Sequence, residues 1–336
     1  RQEKPLSFSI VTDERLQIFC DAPLSASARK MLEDGTASHE LIFPQRSVDS
    51  VLVSTNPDPA LATADIALGQ PDVATVMDSN RLRWIHLTSA GYARYDTEEF
   101  RAFVKSRELM VTNSSTVYAE ACAEHVFAFM LAQARRLPEG LGARCEIGSP
   151  RWTQLREGST LLRGQSATIL GFGAIAARLV ELVGPFGMAV VAMRRNPRGD
   201  EGIPIVRPDQ LPQALSTADH VINVLPDNPE SQRFVSAERL KFMKAGAIFY
   251  NIGRGTTVDQ EALFEALRSR RLGAAWLDVS DPEPLPDDHP LWSAPNCYIT
   301  PHTAGGHQNE SETLVRHFLE NFQRFVTKSP LRDRIM

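Results

Sequence analysis

The chain has 336 residues, 43% hydrophobic and 23% charged, so it carries apolar material for two ordinary cores. Its formal charge of −5 excludes nucleic acid as the main partner, because phosphate binding needs a basic face. No apolar run approaches the roughly 18 residues of a membrane span, and the longest, Val126 to Ala132, is closed by Gln133, so no membrane partner is expected.

Two short apolar runs come first, Phe8 to Val11 and Leu16 to Phe19. Ser25 then starts a helical stretch that runs to about Glu33. Strands are predicted at His39–Phe43, Ile66–Leu68 and Trp84–Leu87, with helical connections between them. Such alternation implies a mostly parallel sheet with helices on its faces. A long helix rich in Ala, Met, Leu and Phe runs from Tyr118 to about Leu137, and a polar crossing loop is expected over Arg151–Arg163. Beyond it, strands are predicted at Ala167–Leu170, Met188–Met193, His220–Val224, Ala247–Asn251, Gly273–Val279 and Cys297–Thr300. Helices are predicted at Ala174–Val183, Asp209–Leu215, Ala237–Met243 and Gln260–Arg268. This is the series of a doubly wound nucleotide-binding domain. The last helix, Ser311–Val326, is expected to return to the first domain, because the second already has its strands.

The turn Gly171-Phe172-Gly173-Ala174-Ile175-Ala176 reads G-x-G-x-x-A. It follows an apolar strand and opens an amphipathic helix, the context that a dinucleotide fingerprint needs. Gly171 permits the tight turn, Gly173 lets the backbone reach a pyrophosphate, and Ala176 stands where a small residue packs helix on strand. An NAD enzyme usually ends the next strand with Asp or Glu, to hold the ribose 2′-OH. Here Arg194-Arg195-Asn196-Pro197-Arg198 follows Met193, and no carboxylate is expected to repel a 2′-phosphate. Arg194 is expected to pair with that phosphate, so NADP(H) is favoured, with NAD(H) as the alternative.

Three blocks follow strands of this domain, at the end where open α/β sheets bind ligands. They are Asn251-Ile252-Gly253-Arg254-Gly255, Leu277-Asp278-Val279-Ser280-Asp281-Pro282-Glu283-Pro284 and Thr300-Pro301-His302-Thr303-Ala304-Gly305. Reduction of a 2-oxo acid needs a fork for the carboxylate, which Arg254 offers, and an acid for the carbonyl oxygen, which His302 offers. A carboxylate such as Glu283 against an imidazole favours the charged ring. Taken singly, each of the three also has a plain structural explanation, as a loop cap, a surface charge and a buried loop histidine.

Together these blocks resemble the D-isomer-specific 2-hydroxyacid dehydrogenase family. The match extends to Trp84-Ile85-His86-Leu87-Thr88-Ser89-Ala90-Gly91 and to Ala123-Glu124-His125, and covers about residues 50 to 327. The resemblance implies Arg254 as carboxylate and carbonyl binder, His302 as general acid/base and Glu283 as its partner. It implies that N–H groups near Ala90 and Gly91 hold the substrate carboxylate, and that Asp278 helps place the nicotinamide. Phe172, Ala174, Ile175, Arg195, Leu225, Pro226, Ile252, Gly253 and Gly305 complete the expected cofactor contacts. It further implies two doubly wound α/β domains: a flavodoxin-like substrate domain (1–112 and 308–336) and a Rossmann domain (113–307). A cleft between domains and a homodimer made through the long helix are also implied. Arg194 resembles the NADP-preferring glyoxylate/hydroxypyruvate reductase branch. A phosphoglycerate dehydrogenase-like enzyme and a non-catalytic, corepressor-like dinucleotide sensor are the competing readings.

Cys20, Cys122, Cys145 and Cys297 form no C-x-x-C pair, so free cytoplasmic thiols are expected rather than disulfides. His86, His125 and His289 lack metal-ligand spacing, and no metal is expected. His307 and His317 are read as surface or packing residues, and Trp292 as a packing anchor.

Overall fold

The computed structural model describes residues 14–44 and 57–336. The predicted run Phe8 to Val11 lies outside them. The chain forms two compact units, one from Arg1–Tyr118 with His307–Met336, the other from Ala119–Gly306.

In the first unit five parallel strands, β1 (Gln17–Cys20), β2 (Glu40–Ile42), β3 (Ile66–Gly69), β4 (Trp84–Leu87) and β5 (Met110–Thr112), stand in the order β2-β1-β3-β4-β5. This is the flavodoxin-like order. Strand residues alternate between two faces. Ile18, Cys20, Ile66, Leu68 and Trp84 share one apolar layer, and Phe19, Ala67, Ile85 and Leu87 the other. Helices α1 (Ala26–Gly35), α2 (Val73–Asp78) and α3 (Glu98–Arg107) connect the strands. Their N-caps are Ser25, Asp72 and Thr97, whose side chains accept from early helix N–H groups that would otherwise lack a partner. Helix α4 (Ser115–Ala134) then carries the chain into the second unit.

The second unit is a seven-stranded parallel sheet. Its strands are β6 (Ser166–Leu170), β7 (Ala189–Met193), β8 (Ile205–Val206), β9 (His220–Asn223), β10 (Ile248–Asn251), β11 (Ala274–Leu277) and β12 (Cys297–Ile299). Their order, β12-β11-β10-β9-β6-β7-β8, is the doubly wound nucleotide-binding order with one strand added, as the alternation predicts. The helices of this unit after α4 are α5 (Leu137–Gly140), α6 (Pro150–Glu157), α7 (Ala174–Val183), α8 (Leu211–Thr217), α9 (Ala237–Phe242) and α10 (Gln260–Arg268). The final helix, α11 (Glu310–Val326), lies in the first unit, where Phe318 stacks on Trp84 with ring centroids 5.2 Å apart.

Two expectations are corrected here. The polar stretch Arg151–Arg163 is not a loop throughout, because α6 occupies its first half. Ser149 accepts from Trp152 N and Pro150 supplies the pre-set φ of a first helical turn. No residue of this helix is buried, which is why it shows no apolar stripe. Trp292 is half-exposed, its indole N–H donating to Pro286 O at 2.9 Å, and the packing role falls to its buried neighbour Leu291.

Candidate active site

Chain order reverses at β6, which pairs with β7 on one side and β9 on the other. The turn after β6 therefore stands at the position where open α/β sheets take ligands. Gly171 has φ +98°, a conformation that suits glycine, and its N–H donates to Met193 O at 3.1 Å. Gly173 is the N-cap of α7 without a side-chain cap, and a Cβ built on it would meet no atom of the chain. The N–H groups of Ala174, Ile175 and Ala176 have no acceptor among the described residues. A first helical turn with open N–H groups and room for close approach fits the pyrophosphate of a dinucleotide. Phe172 is partly exposed in this turn, and Leu225 and Pro226 follow β9 at the same end of the sheet. Ile252 and Gly253 are buried, and a Cβ at Gly253 would fall 2.6 Å from Leu225 O, so only glycine lets these loops touch.

The expectation that no carboxylate stands beside Arg194 is overturned. Glu201, its side chain 3% exposed, accepts from Arg194 Nη1 at 3.3 Å. It also accepts from the N–H of Arg198 at 2.6 Å and of Gly199 at 2.8 Å. The Arg198 N–H above all, with Gly199 and Arg194, holds this carboxyl below the usual carboxylate range. Glu201 stands seven positions after Arg194, and the turn at Gly199 (φ +87°) folds the loop back between them. Arg195 pairs with Glu230.

Glu283 meets His302 directly, through Oε1 and Nδ1. The ring's Nε2 has no partner among the described residues, which leaves it available for proton transfer. His302 has φ +52°, an uncommon backbone for a non-glycine residue, and its N–H donates to Asp278 O at 2.8 Å. Asp278 is buried and fully engaged within the protein. Its Oδ1 accepts from Thr300 Oγ1 at 2.6 Å and Thr303 N at 2.9 Å, and its Oδ2 from Ala304 N at 2.9 Å. Its observed work is to hold the loop that carries His302, with Gly305 next in sequence. Arg254 Nη1 donates to Gly253 O at 2.7 Å, and among the described residues Arg254 makes no hydrogen bond to Glu283 or His302.

His125, whose spacing suggests no metal role, lies beside this loop. Its Nε2 lies 3.3 Å from Thr300 Oγ1 and 3.7 Å from Asp278 Oδ1, and burial lowers its pKa despite the nearby carboxylate. The block Ala123-Glu124-His125 was the available signal.

In the first unit, Ala90 and Gly91 lie in the turn after β4. The N–H groups of Ala90, Gly91 and Tyr92 have no acceptor among the described residues. Successive open N–H groups make a concavity suited to an anion.

The family model described as D-isomer specific 2-hydroxyacid dehydrogenase, NAD binding domain, matches residues 127–304. The chain is 33% identical over 292 residues to the glyoxylate/hydroxypyruvate reductase B of Citrobacter koseri, covering 82% of this chain and 87% of that protein. The crystal structure of the TT0316 protein from Thermus thermophilus is similar at 29% identity, with a TM-score of 0.74 over 96% of this chain and 100% of that one. The fold is also that of a D-isomer specific 2-hydroxyacid dehydrogenase from Xanthobacter autotrophicus Py2 in complex with NADPH and MES. That pair has a TM-score of 0.78 at 24% identity, over 96% of this chain and 98% of that one. The family match and the relatives are those of a nicotinamide-dependent oxidoreductase acting on a CH–OH group. The chain belongs to the D-isomer specific 2-hydroxyacid dehydrogenase family.

Proposed function

We propose that this protein reduces glyoxylate or hydroxypyruvate to the corresponding 2-hydroxy acid, with NADPH preferred over NADH. The contact between Glu283 and His302 Nδ1 carries the reading, because it fixes the ring with Nε2 open. A reduced nicotinamide, when bound, supplies the hydride. His302 Nε2 gives a proton to the carbonyl oxygen, and Glu283 holds the ring and stabilises its charged form. Arg254 offers a planar fork to the substrate carboxylate and carbonyl. The open N–H groups of residues 90–92 are suited to a substrate carboxylate. Gly173 and the first turn of α7 would hold the pyrophosphate, and Arg194 the 2′-phosphate. The NADPH and glyoxylate/hydroxypyruvate in the names of similar proteins support these choices.

A cytoplasmic setting belongs to this reading, on the spacing of the cysteines, which is not that of a disulfide framework. So does a homodimer, supported by the apolar side chains Leu137, Leu141, Ile147 and Leu161 that the segment after α4 exposes. The test is turnover of a panel of 2-oxo acids with NADPH and with NADH. Fastest reduction of glyoxylate or hydroxypyruvate with NADPH is expected. No turnover of any 2-oxo acid with either cofactor would sink the reading.

A further inference from the structure

The turn Ser89-Ala90-Gly91-Tyr92 is shaped from behind by three buried polar side chains, Asn113, Ser89 and Gln70. Asn113 Nδ2 donates to Ala90 O at 2.7 Å. Its Oδ1 accepts from the N–H of Ser115 at 3.3 Å and from Ser115 Oγ at 3.0 Å. Only an amide oxygen can accept from a backbone N–H, so the bond to Ser115 N fixes which way the Asn113 amide points. Ser89 Oγ donates to Gly91 O at 2.5 Å. The same oxygen accepts from Gln70 Nε2 at 2.9 Å, which leaves its own hydrogen for the Gly91 carbonyl.

These contacts set the orientation of two peptide planes. In a trans peptide the C=O and N–H point to opposite sides. Pinning Ala90 O to Asn113 turns the Gly91 N–H away from the core, and pinning Gly91 O to Ser89 does the same for the Tyr92 N–H. Those are two of the three N–H groups that have no acceptor among the described residues. Ala90, Gly91 and Tyr92 are partly exposed, whereas Asn113, Ser89 and Gln70 are almost wholly buried. Two of the three pinning residues are themselves anchored through their backbone. Asn113 N–H donates to Asp333 O at 3.0 Å, and Gln70 N–H to Asp21 Oδ1 at 2.8 Å.

We propose that Asn113, Ser89 and Gln70 are positioning residues for the substrate carboxylate, acting through the carbonyls of Ala90 and Gly91. The proposal rests on the reductase reading above. If peptide orientation is their function, removing a pin frees a peptide plane to rotate, and the carboxylate loses a prepared donor. Binding of the acid weakens while the hydride and proton steps, once the acid is bound, proceed much as before.

The test uses the full chain with NADPH, glyoxylate as substrate and oxalate as a non-reacting dicarboxylate. Ser89→Ala and Asn113→Ala are each expected to raise KM for glyoxylate and Kd for oxalate by roughly three- to tenfold, the worth of one neutral hydrogen bond. The kcat should stay within about threefold, as for a loss of uniform binding. NADPH affinity, read by fluorescence without any acid, should be unchanged. Ser89→Thr keeps the hydroxyl and should bind oxalate within about twofold of wild type. Gln70→Met, close in length but without the amide donor, should fall between Ser89→Ala and wild type, and serves if an alanine variant does not fold. Oxalate binding unchanged in the variants overturns the proposal. So does Ser89→Thr as weak as Ser89→Ala, or a matching loss of NADPH affinity. A wild type that reduces no 2-oxo acid and binds no oxalate overturns the reductase reading, and the proposal with it.

Discussion

Arg194 owes its position to Glu201, and the pair sets what a substitution there should do. A charge-assisted bond to a 2′-phosphate is worth about 1.5–3 kcal/mol, so Arg194→Ala is expected to weaken NADPH binding tenfold or more. The freed Glu201 carboxylate adds repulsion on top of that loss. Arg194→Asp should favour NADH, and a wild type that prefers NADH by kcat/KM would refute the assignment. At the triad, Arg254→Lys keeps the charge but loses the fork, and kcat/KM for the 2-oxo acid should fall steeply with cofactor binding nearly intact. His302→Ala should lose about 10²–10⁴-fold in kcat while still binding NADPH, since that is the usual worth of general acid catalysis. Near-normal turnover in either variant counts against its role. The blocks holding Arg254, Glu283 and His302 were legible because strand-end loops carried them in a fixed order. Glu201, Asn113 and Gln70 were not, because their work is done through folded loops and peptide orientation, which leave no spacing pattern in the chain.

At the scale of elements, apolar strands and capped helices were the legible part: β4, α7 and α10 fall on their predicted bounds. The three-residue β5 and the two-residue β8 were not, since so few residues show no period, and their neighbours in the sheet define them. Strand β4 also carries a buried titratable group. His86 Nδ1 lies 2.7 Å from Thr112 Oγ1, and burial, helped by nearby His317, pushes its pKa down to about 3. On β9, burial takes His220 down to about 4. An unfolded histidine takes up its proton near pH ~6.5. Above that pH both states are neutral and nothing is lost. Below it the unfolded chain binds protons that the folded chain refuses, so stability declines as pH falls toward the folded values, by about 1.4 kcal/mol per pH unit for each histidine. His86→Gln should flatten that slope between about pH 6 and 4 in denaturant unfolding. An unchanged slope would show that His86 is not a source of the acid sensitivity.

For the whole molecule, the dimer reading makes one measurable claim. Ile147 is 86% exposed and Leu141 77%, side chains that water solvates poorly. The double variant Leu141→Asp, Ile147→Asp should sediment at half the wild-type mass with its circular dichroism retained, and a monomeric wild type at micromolar concentration would end the idea. The split first unit bears on how the protein is made. Its apolar layer of Ile18, Leu32 and Trp84 is completed by Phe318, Leu319 and Phe322 of α11, which are translated only after the second unit. The roughly 190 residues of Ala119–Gly306 must be translated first, which at about 5–20 residues per second takes on the order of 10–40 s. For that interval the nascent first unit keeps the part of its sheet that packs on α11 uncovered, whereas the second unit draws all its strands from its own continuous segment. A chaperone that binds apolar segments would find its target there, and slower translation through the second unit would lengthen the exposure without changing a single native contact.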